Sequence, residues 1–241
     1  MQNSEKSDCI RMKRERLKTS LNRIISWFPE PQYTRLRNLK LFEWINQNGP
    51  GKIVLNLGSG IGRFDHYLSK DIKPINLDIS SSVIDVDVIA DAHFLPFKDR
   101  SFDIVYSIAV LEHLKRPWAA ADEIFRVLHP GGHVVLELPF LNVIHDEHDY
   151  FRFTDKGIRS LLDERRFEIV FEQIGSGGGS FLSVFLLEYF QQFIPTKYLR
   201  TLWRISARYL FCLAKYLDCF IDRSKELRIT ANSFSFIGRK K

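Results

Sequence analysis

The sequence predicts an α/β fold with a doubly wound, seven-stranded mixed sheet and a helical insertion before the last strand. Short apolar runs alternate with amphipathic stretches through the centre of the chain, a pattern typical of βαβ units. The apolar runs are nearly continuous in Val, Ile and Leu, as expected of strands buried on both faces. A glycine-rich loop follows the first of them. The 241 residues are enough for one such domain with an appendage.

The individual elements follow from local signals. Predicted strands cover 52–58, 74–80, 102–109, 133–139, 167–175 and 232–241, and predicted helices cover 63–70, 117–128 and 154–166. Pro117 suits the first turn of the second helix and Thr154 suits the N-cap of the third. Glycines predict a turn at 130–132 and a flexible break at 175–180. We expect a basic helical lead over 1–49, a core over 50–180, an insertion over 181–225 and a final core strand over 226–241.

Charge and cysteine content restrict the setting of the protein. The net charge is +6, but the middle of the chain is acidic and both ends are basic. The basic ends either meet an anionic partner or are simply solvated. Three cysteines, Cys9, Cys212 and Cys219, provide no disulfide framework, so we expect a reducing, cytoplasmic location. Segment 1–18 has no apolar run, so we expect no secretory signal.

The glycine loop marks the predicted ligand site. Gly58, Gly60 and Gly62 lie between a strand and a helix, where bare backbone can approach a ligand closely. Their G-x-G-x-G spacing differs from the G-x-G-x-x-G of dinucleotide folds, because Arg63 stands where the third glycine would be.

Asp78 ends the second predicted strand, twenty residues after Gly58. A carboxylate at this position can accept both hydroxyls of a ribose. The alternative is an aspartate that caps the next turn through Ser80 or Ser81.

A longer series of motifs follows the glycine loop. It comprises Asp91-Ala92, Leu95-Pro96-Phe97, Ser101-Phe102-Asp103, Leu111-Glu112-His113 and Leu128-His129-Pro130-Gly131-Gly132. With the glycine loop and Asp78, this order resembles the Rossmann-like class I S-adenosylmethionine-dependent methyltransferases of the type 11 subgroup, over about residues 50–140. The resemblance implies methyltransferase activity and S-adenosyl-L-methionine as the cofactor.

The resemblance also implies which residues hold the cofactor. They are Asn56, Gly58, Ser59, Gly60, Gly62, Asp78, Ile79, Asp91, Ala92 and Ser107. The glycines and Ser107 would surround the methionine part, and Asp78 would bind the ribose. Ile79 would pack on the adenine, whose amino group would donate to Asp91, with Ala92 beside it.

Asn56 departs from the family pattern, which usually has an acidic residue at this position. An amide loses charge pairing with the ammonium group of the cofactor, so the departure predicts reduced cofactor affinity. It also leaves open a catalytically silent, cofactor-binding scaffold.

The segment NVIHDEHDYFRFT (142–154) leaves the cofactor end of the sheet and is the predicted acceptor region. Methyl transfer to oxygen requires loss of a proton, a task suited to histidine. His148 is the favoured base, with Asp149 placed to orient an imidazole, and Arg152 would clamp an anionic group. The candidate catalytic residues are His148, His145, His113 and Asp149, and the candidate substrate residues are Tyr150 and Arg152.

Two other interpretations of this segment stay open. One is a metal site, since potential ligands recur at His145, Asp146, His148 and Asp149. Their spacing fits no standard zinc pattern and no cysteine accompanies them, so we predict no metal. The other is a structural segment in which the aromatic side chains pack under the sheet and Arg152 pairs with Asp149 or Asp155.

The same segment resembles the H..P.DY.RFT stretch of bacterial methyltransferases associated with surface-polysaccharide synthesis, although Glu147 stands near the usual proline. That resemblance implies O-methylation of a sugar or lipid-linked glycan. The alternative is methylation of a quinone or another lipid-soluble small molecule.

Segment 181–222 is basic and rich in aromatic residues. Arg200, Arg204 and Arg208 recur every four residues and so share one helix face. This pattern predicts peripheral contact with an anionic membrane, at its inner face, to which 11–28 would add. The alternative is a helical hairpin that covers the active site or forms a homodimer interface. Nucleic acid is a less favoured partner because no binding module is recognised.

Overall fold

The computed structural model describes residues 32–60, 64–80, 86–216, 218 and 229–241. The helices are α1 Gln32–Asn48, α2 Pro117–Val127, α3 Asp155–Leu162, α4 Gly178–Gln191 and α5 Lys197–Tyr216. The strands are β1 Val54–Leu57, β2 Ile75–Asp78, β3 Val88–Ile89, β4 Phe102–Ile108, β5 Leu128–Pro139, β6 Phe167–Ser176 and β7 Ser233–Lys240. The basic stretch 11–28 lies outside the described residues, so its predicted membrane role is not visible here.

One sheet contains all seven of these strands, in the order β3-β2-β1-β4-β5-β7-β6. Strands β1 to β5 pair in parallel, whereas β7 lies between β5 and β6 and runs antiparallel to both. Helices α4 and α5 fill the connection between β6 and β7. The predicted doubly wound, mixed α/β sheet with a helical insertion before the last strand is therefore confirmed.

The sheet carries an apolar core on each face because side chains alternate along its strands. On β4, Val105 joins the core under α2 and α3, whereas Ile104 and Tyr106 face α1. Leu41 and Phe42 anchor α1 in that second core. The boundaries predicted between lead, core and insertion are not tested by the structure. Leu41 and Phe42 lie within the predicted lead, yet their side chains are buried in this core.

Two local predictions were wrong. The turn expected at 130–132 is a bulge inside β5, where Gly131 adopts a φ of +75° and the register with β4 shifts. The helix expected over 63–70 is, in its described part, a 3₁₀ turn at Asp65–Tyr67. The side chain of Asn46 on α1 donates to the carbonyl of Tyr67 and accepts from the amide of Ser69, so it takes backbone groups that a longer helix would use.

The flexible break expected at 175–180 is also wrong, because Gly175 lies in β6 and Gly178 begins α4. The Asp218 carboxylate accepts from the amides of Gly179 and Ser180, at 2.6 and 3.1 Å, and from the Ser180 hydroxyl at 2.8 Å. A Cβ on Gly179 would lie 2.0 Å from the carbonyl oxygen of Ala214. These glycines therefore serve close helix packing.

Candidate functional site

The loop after β1 is fastened to the end of β2. The amides of Gly58 and Ser59 donate to the carbonyl of Leu77 at 2.8 and 3.0 Å, and the amide of Gly60 donates to Oδ2 of Asp78 at 2.9 Å. Gly58 and Gly60 have φ values of +74° and +53°, which favour glycine. Gly62 lies outside the described residues. The loop thus places bare backbone beside a carboxylate at the carboxyl edge of the sheet.

Asp78 has the capping role that the sequence left open, whereas its ribose-binding role stays a prediction. Its Oδ1 accepts from the amide of Ser80 at 2.9 Å, so the carboxylate does cap the following turn. Each carboxylate oxygen offers a second lone pair, which leaves acceptor capacity for a diol such as ribose. The neighbouring Ile79 is 71% exposed, an apolar surface of the kind that an adenine ring would cover.

Two buried hydroxyls at this edge lack partners. Ser59 Oγ and Ser107 Oγ have no hydrogen-bond partner among the described residues, although buried polar groups nearly always have one. A Cβ on Gly60 would meet no heavy atom within 4 Å. The unsatisfied hydroxyl of Ser59, adjacent in sequence to the open space at Gly60, and that of Ser107 near the end of β4 fit a polar cofactor, which these residues would hold.

The remaining predicted cofactor residues have local partners. Asn56 is buried and donates through Nδ2 to Oδ1 of Asn76 at 2.9 Å, so its amide is tied across two strands. Asp91 uses Oδ1 to accept from the amide of His93 at 2.9 Å and to contact its ring at 2.6 Å. Ala92 belongs to the core. The assigned cofactor contacts of these residues stay predictions.

Segment 142–154, the predicted acceptor region, forms a loop that is called the acceptor loop below. It is connected to the glycine loop through the segment after β4. A Cβ on Gly58 would lie 2.4 Å from Cγ2 of Val110, so the two residues are in close contact. The 3₁₀ turn Leu111–His113 follows directly. The carbonyl of Glu112 then accepts from the amides of Tyr150 and Phe151, at 2.9 and 3.2 Å. The structure therefore brings the two predicted halves of the site together.

His113 and His145 form a pair on the loop side. Their ring centroids lie 4.9 Å apart in an edge-on arrangement. Nδ1 of His113 lies 2.8 Å from the carbonyl oxygen of His148, and Nδ1 of His145 lies 3.1 Å from Oδ2 of Asp149. Because both contacts are to acceptors, each Nδ1 is assigned the proton and each Nε2 keeps a lone pair.

Asp149 and Arg152 hold the loop in shape. Arg152 binds both oxygens of Asp149 and also donates to the carbonyls of Val143 and Phe151, at 2.9 and 2.8 Å. The hydrogen bonds from Arg152 hold the pKa of Asp149 at about 2, even though burial opposes this. This geometry matches the structural alternative. The predicted role of Arg152 in clamping an anionic substrate is not tested. In this structure its guanidinium N–H groups donate to acceptors within the loop itself.

The ring of His148, the favoured base, contacts Tyr150 and is not one of the paired rings. Its exposed ring stacks with that of Tyr150 at a centroid distance of 6.2 Å, and its Nδ1 is 3.4 Å from the Tyr150 hydroxyl. Its backbone carbonyl supports His113 instead. The catalytic role of His148 stays a prediction.

Sequence reasoning missed Glu112. The side chain has no exposed surface, and neither carboxylate oxygen has a hydrogen-bond partner among the described residues. Burial raises its pKa to about 8, helped by the charge of Asp149. The sequence signal for a functional role of Glu112 was its place in the motif Leu111-Glu112-His113, which had been used to recognise the family resemblance.

Comparisons with known proteins agree with this geometry. Residues 55–136 match the family model described as a methyltransferase domain. The matched region is about a third of the chain. S-adenosylmethionine is the cofactor of that family, and the serine and glycine edge fits it. The match includes Asp78 and Glu112, whereas His145 and Asp149 lie beyond it.

Individual relatives match less than half of the chain. The chain is 33% identical over 130 residues to the 2-methyl-6-phytyl-1,4-hydroquinone methyltransferase of Synechocystis, covering 48% of this chain and 40% of that one. It is 36% identical over 98 residues to the malonyl-[acyl-carrier protein] O-methyltransferase of Marinomonas, covering 34% and 36%. The chain thus spans less than half the length of these two relatives.

A solved structure shares the fold over most of this chain. It is a Galdieria sulphuraria protein named for sarcosine and dimethylglycine methyl transfer, with a TM-score of 0.55, 16% identity and coverage of 85% of each chain. At this identity the likeness concerns the fold alone.

Proposed function

We propose that the protein is an S-adenosylmethionine-dependent methyltransferase that O-methylates a sugar or a lipid-linked glycan. The observation that supports this most is the contact path from Gly58 through Val110 to the segment Leu111–His113, on which the acceptor loop is hydrogen-bonded. Cofactor edge and polar loop therefore lie side by side at the carboxyl end of the sheet, where ligands of such folds bind.

The proposed reaction is a direct displacement. The acceptor oxygen attacks the methyl carbon, the bond from that carbon to the sulfonium sulfur breaks, and S-adenosylhomocysteine leaves with the electron pair. The hydroxyl proton must also depart. The exposed ring of His148 is the proposed proton acceptor, and alignment of the two reactants supplies most of the rate enhancement.

The loop offers groups that suit a sugar. The Nε2 lone pairs of His113 and His145 can accept from hydroxyls. The exposed ring of Tyr150 offers an aromatic face on which the apolar side of a sugar ring can pack. Together these side chains can position a polyol acceptor.

A second candidate acceptor is a hydroquinone, favoured by the name of the Synechocystis relative. Such an acceptor would use the same cofactor edge but would need an apolar binding surface. Candidates for that surface are the exposed side chains of Phe94, three residues after Asp91, and Trp118, seven residues after Leu111.

We also propose that the α4–α5 hairpin lies on an anionic bilayer at the cytoplasmic face of the membrane. Large side chains are exposed along it at Leu182, Phe185, Tyr189, Phe190, Phe193, Tyr198, Leu199, Leu202 and Leu210. Exposed Lys197, Arg200 and Arg204 supply positive charge for lipid headgroups. Among the described residues, no helix has the length and apolarity to cross a membrane.

Vesicle flotation tests the membrane proposal. The full chain should float with vesicles containing phosphatidylserine and remain unbound with neutral ones. Charge reversal by Arg200→Glu together with Arg204→Glu should abolish flotation. Equal binding to both vesicle types would contradict the proposal, as would a concentration-dependent homodimer that hides the hairpin and does not bind lipid.

Methyl transfer from isotopically labelled S-adenosylmethionine tests the function itself. The protein should label a lipid-linked glycan fraction at a hydroxyl, and a prenylated hydroquinone should be labelled poorly. Labelling of the hydroquinone alone would select the second candidate. Cofactor binding without transfer to either class would select the silent scaffold.

A further inference from the structure

Three metal-binding side chains converge where the acceptor loop meets the segment after β4. Glu112 and His113 come from the 3₁₀ turn, and His145 comes from the loop. One potential ligand atom from each lies within 4.8 Å of the other two. We propose that these three residues bind a divalent transition-metal ion.

The two histidines are preset as ligands. Their Nδ1 atoms face the His148 carbonyl at 2.8 Å and the Asp149 carboxylate at 3.1 Å, so the protons are directed there. Neutral imidazole binds a metal through the nitrogen that lacks the proton, here Nε2 in both rings. A carboxylate or carbonyl on the far nitrogen is the usual arrangement behind a metal-binding histidine.

Glu112 provides independent support for a cation. It is fully buried, yet neither oxygen has a hydrogen-bond partner in the described part of the chain. The nearest cationic candidate is Nε2 of His113, 3.8 Å from Oε1. An unsatisfied buried carboxyl group is costly, and a metal ion would satisfy it directly. A carboxylate oxygen of Glu112 lies within 4.8 Å of a ring nitrogen of each of the two histidines.

The surroundings hold His145 in place. Asp149, 1% exposed, is fixed by Arg152 from one side and contacts the His145 ring from the other. Asp149 is therefore a positioning residue rather than a ligand. Arg152 acts on the proposed site indirectly, because it holds Asp149 and Asp149 in turn holds His145. It is not itself a ligand of the metal.

The donor set restricts the ion. Two imidazoles and one carboxylate suit zinc, iron, cobalt or nickel, whereas magnesium and calcium prefer oxygen ligands. Ligand atoms around a tetrahedral zinc lie about 3.4 Å apart, given bonds of about 2.1 Å. The largest separation, up to 4.8 Å, must contract by about 1.4 Å, and small rotations of the partly exposed imidazoles, at 25% and 35%, can provide this. Three protein ligands leave a position open for an acceptor oxygen.

The role of this ion rests on the proposed methyl transfer. A metal-bound hydroxyl loses its proton more readily, so the coordinated acceptor oxygen would become the better nucleophile. With both Nε2 lone pairs occupied by the metal, the proton would pass to His148 or to solvent. The sequence predicted no metal from the ligand spacing within 145–149 alone, and Glu112 and His113 lie far from that cluster in sequence.

Zinc titration by calorimetry tests the site without any methyl donor. The chelator-treated chain should bind one equivalent of Zn²⁺. His145→Ala and Glu112→Gln should each weaken that binding at least about 100-fold, and Asp149→Asn about 10- to 100-fold. Cobalt substitution should give visible absorption bands in the wild type that both ligand variants lose.

His148→Ala is the matched control, because it removes an imidazole from the same loop whose ring lies outside the cluster. It should keep the wild-type zinc affinity. Binding of S-adenosylhomocysteine by every variant checks that each one is folded. The proposal fails if wild type binds no zinc, or if the ligand variants and His148→Ala bind it equally. Absence of methyl transfer by the wild-type protein, with zinc binding intact, would instead count against the proposed function.

Discussion

Val110 occupies the space that a side chain on Gly58 would need. A Cβ on Gly58 would lie 2.4 and 2.7 Å from the two Cγ atoms of Val110, and Gly58 has a φ of +74°. This contact joins the glycine loop to the segment that carries Glu112 and His113, so it links the cofactor edge with the acceptor loop.

Gly58→Ala should therefore both strain the backbone and displace Val110. We expect a loss of about 2–4 kcal/mol in the free energy of unfolding. Affinity for S-adenosylhomocysteine should fall at least about tenfold, or about 1.4 kcal/mol. Gly51→Ala is the matched control, since Gly51 has a φ of +73° with no heavy atom within 4 Å of a Cβ. It should cost only about 1–2 kcal/mol and leave binding unchanged. Equal losses in urea unfolding would refute the role of Val110.

Replacing His148 should separate chemistry from cofactor binding. His148→Ala should slow single-turnover methyl transfer by roughly 10²- to 10⁴-fold, the usual range for a general base, with S-adenosylhomocysteine affinity retained. His129→Ala, at the start of β5, is the control and should turn over normally. Wild-type turnover in His148→Ala would remove the base assignment.

Arg152→Lys keeps the charge but cannot bind both oxygens of Asp149 in a planar fork. We expect the free energy of unfolding to fall by about 1–3 kcal/mol and proteolysis within 142–154 to speed up. Arg159→Lys, whose partners Glu164 and Glu172 are more exposed than Asp149, should lose less. A rise in the acceptor KM with no change in stability would instead indicate the anion clamp.

Asp218→Ala should destabilise the α4–α5 hairpin. The Asp218 carboxylate is 2% exposed and accepts from both the Gly179 amide and the Ser180 amide at the start of α4. Removing such a cap costs about 1–3 kcal/mol. Asp218→Asn keeps one acceptor and should lose less. Thermal unfolding of the two variants measures the difference, and identical transitions would contradict this cap.

The sheet and the cofactor edge could be predicted because their signals are local. Apolar runs define the strands, and the glycines and Asp78 are close together in sequence at the ends of neighbouring strands. Thr154 was likewise predicted as an N-cap, and its hydroxyl accepts from the amide of Gly157 at 3.0 Å. Asn56 was recognised as unusual, but its hydrogen bond to Asn76 depends on strand register.

The acceptor side could not be predicted in the same way. Glu112 and His145 meet only because hydrogen bonds from Tyr150 and Phe151 fold the loop onto the 3₁₀ turn. Burial of Glu112 is likewise a tertiary property. The glycines at 175–180 were misread for the same reason, since a partner forty residues later, Asp218, decides their conformation.

Calorimetric titration of S-adenosylmethionine and S-adenosylhomocysteine into wild type and Asp78→Ala measures whether the glycine loop and Asp78 form the cofactor site. Wild type should bind both with a dissociation constant in the micromolar range, about −8 kcal/mol, and Asp78→Ala should bind neither measurably. Asp71→Ala, an exposed aspartate in the turn before β2, should match wild type. Unchanged affinity in Asp78→Ala, or no binding of either compound by wild type, would contradict the account.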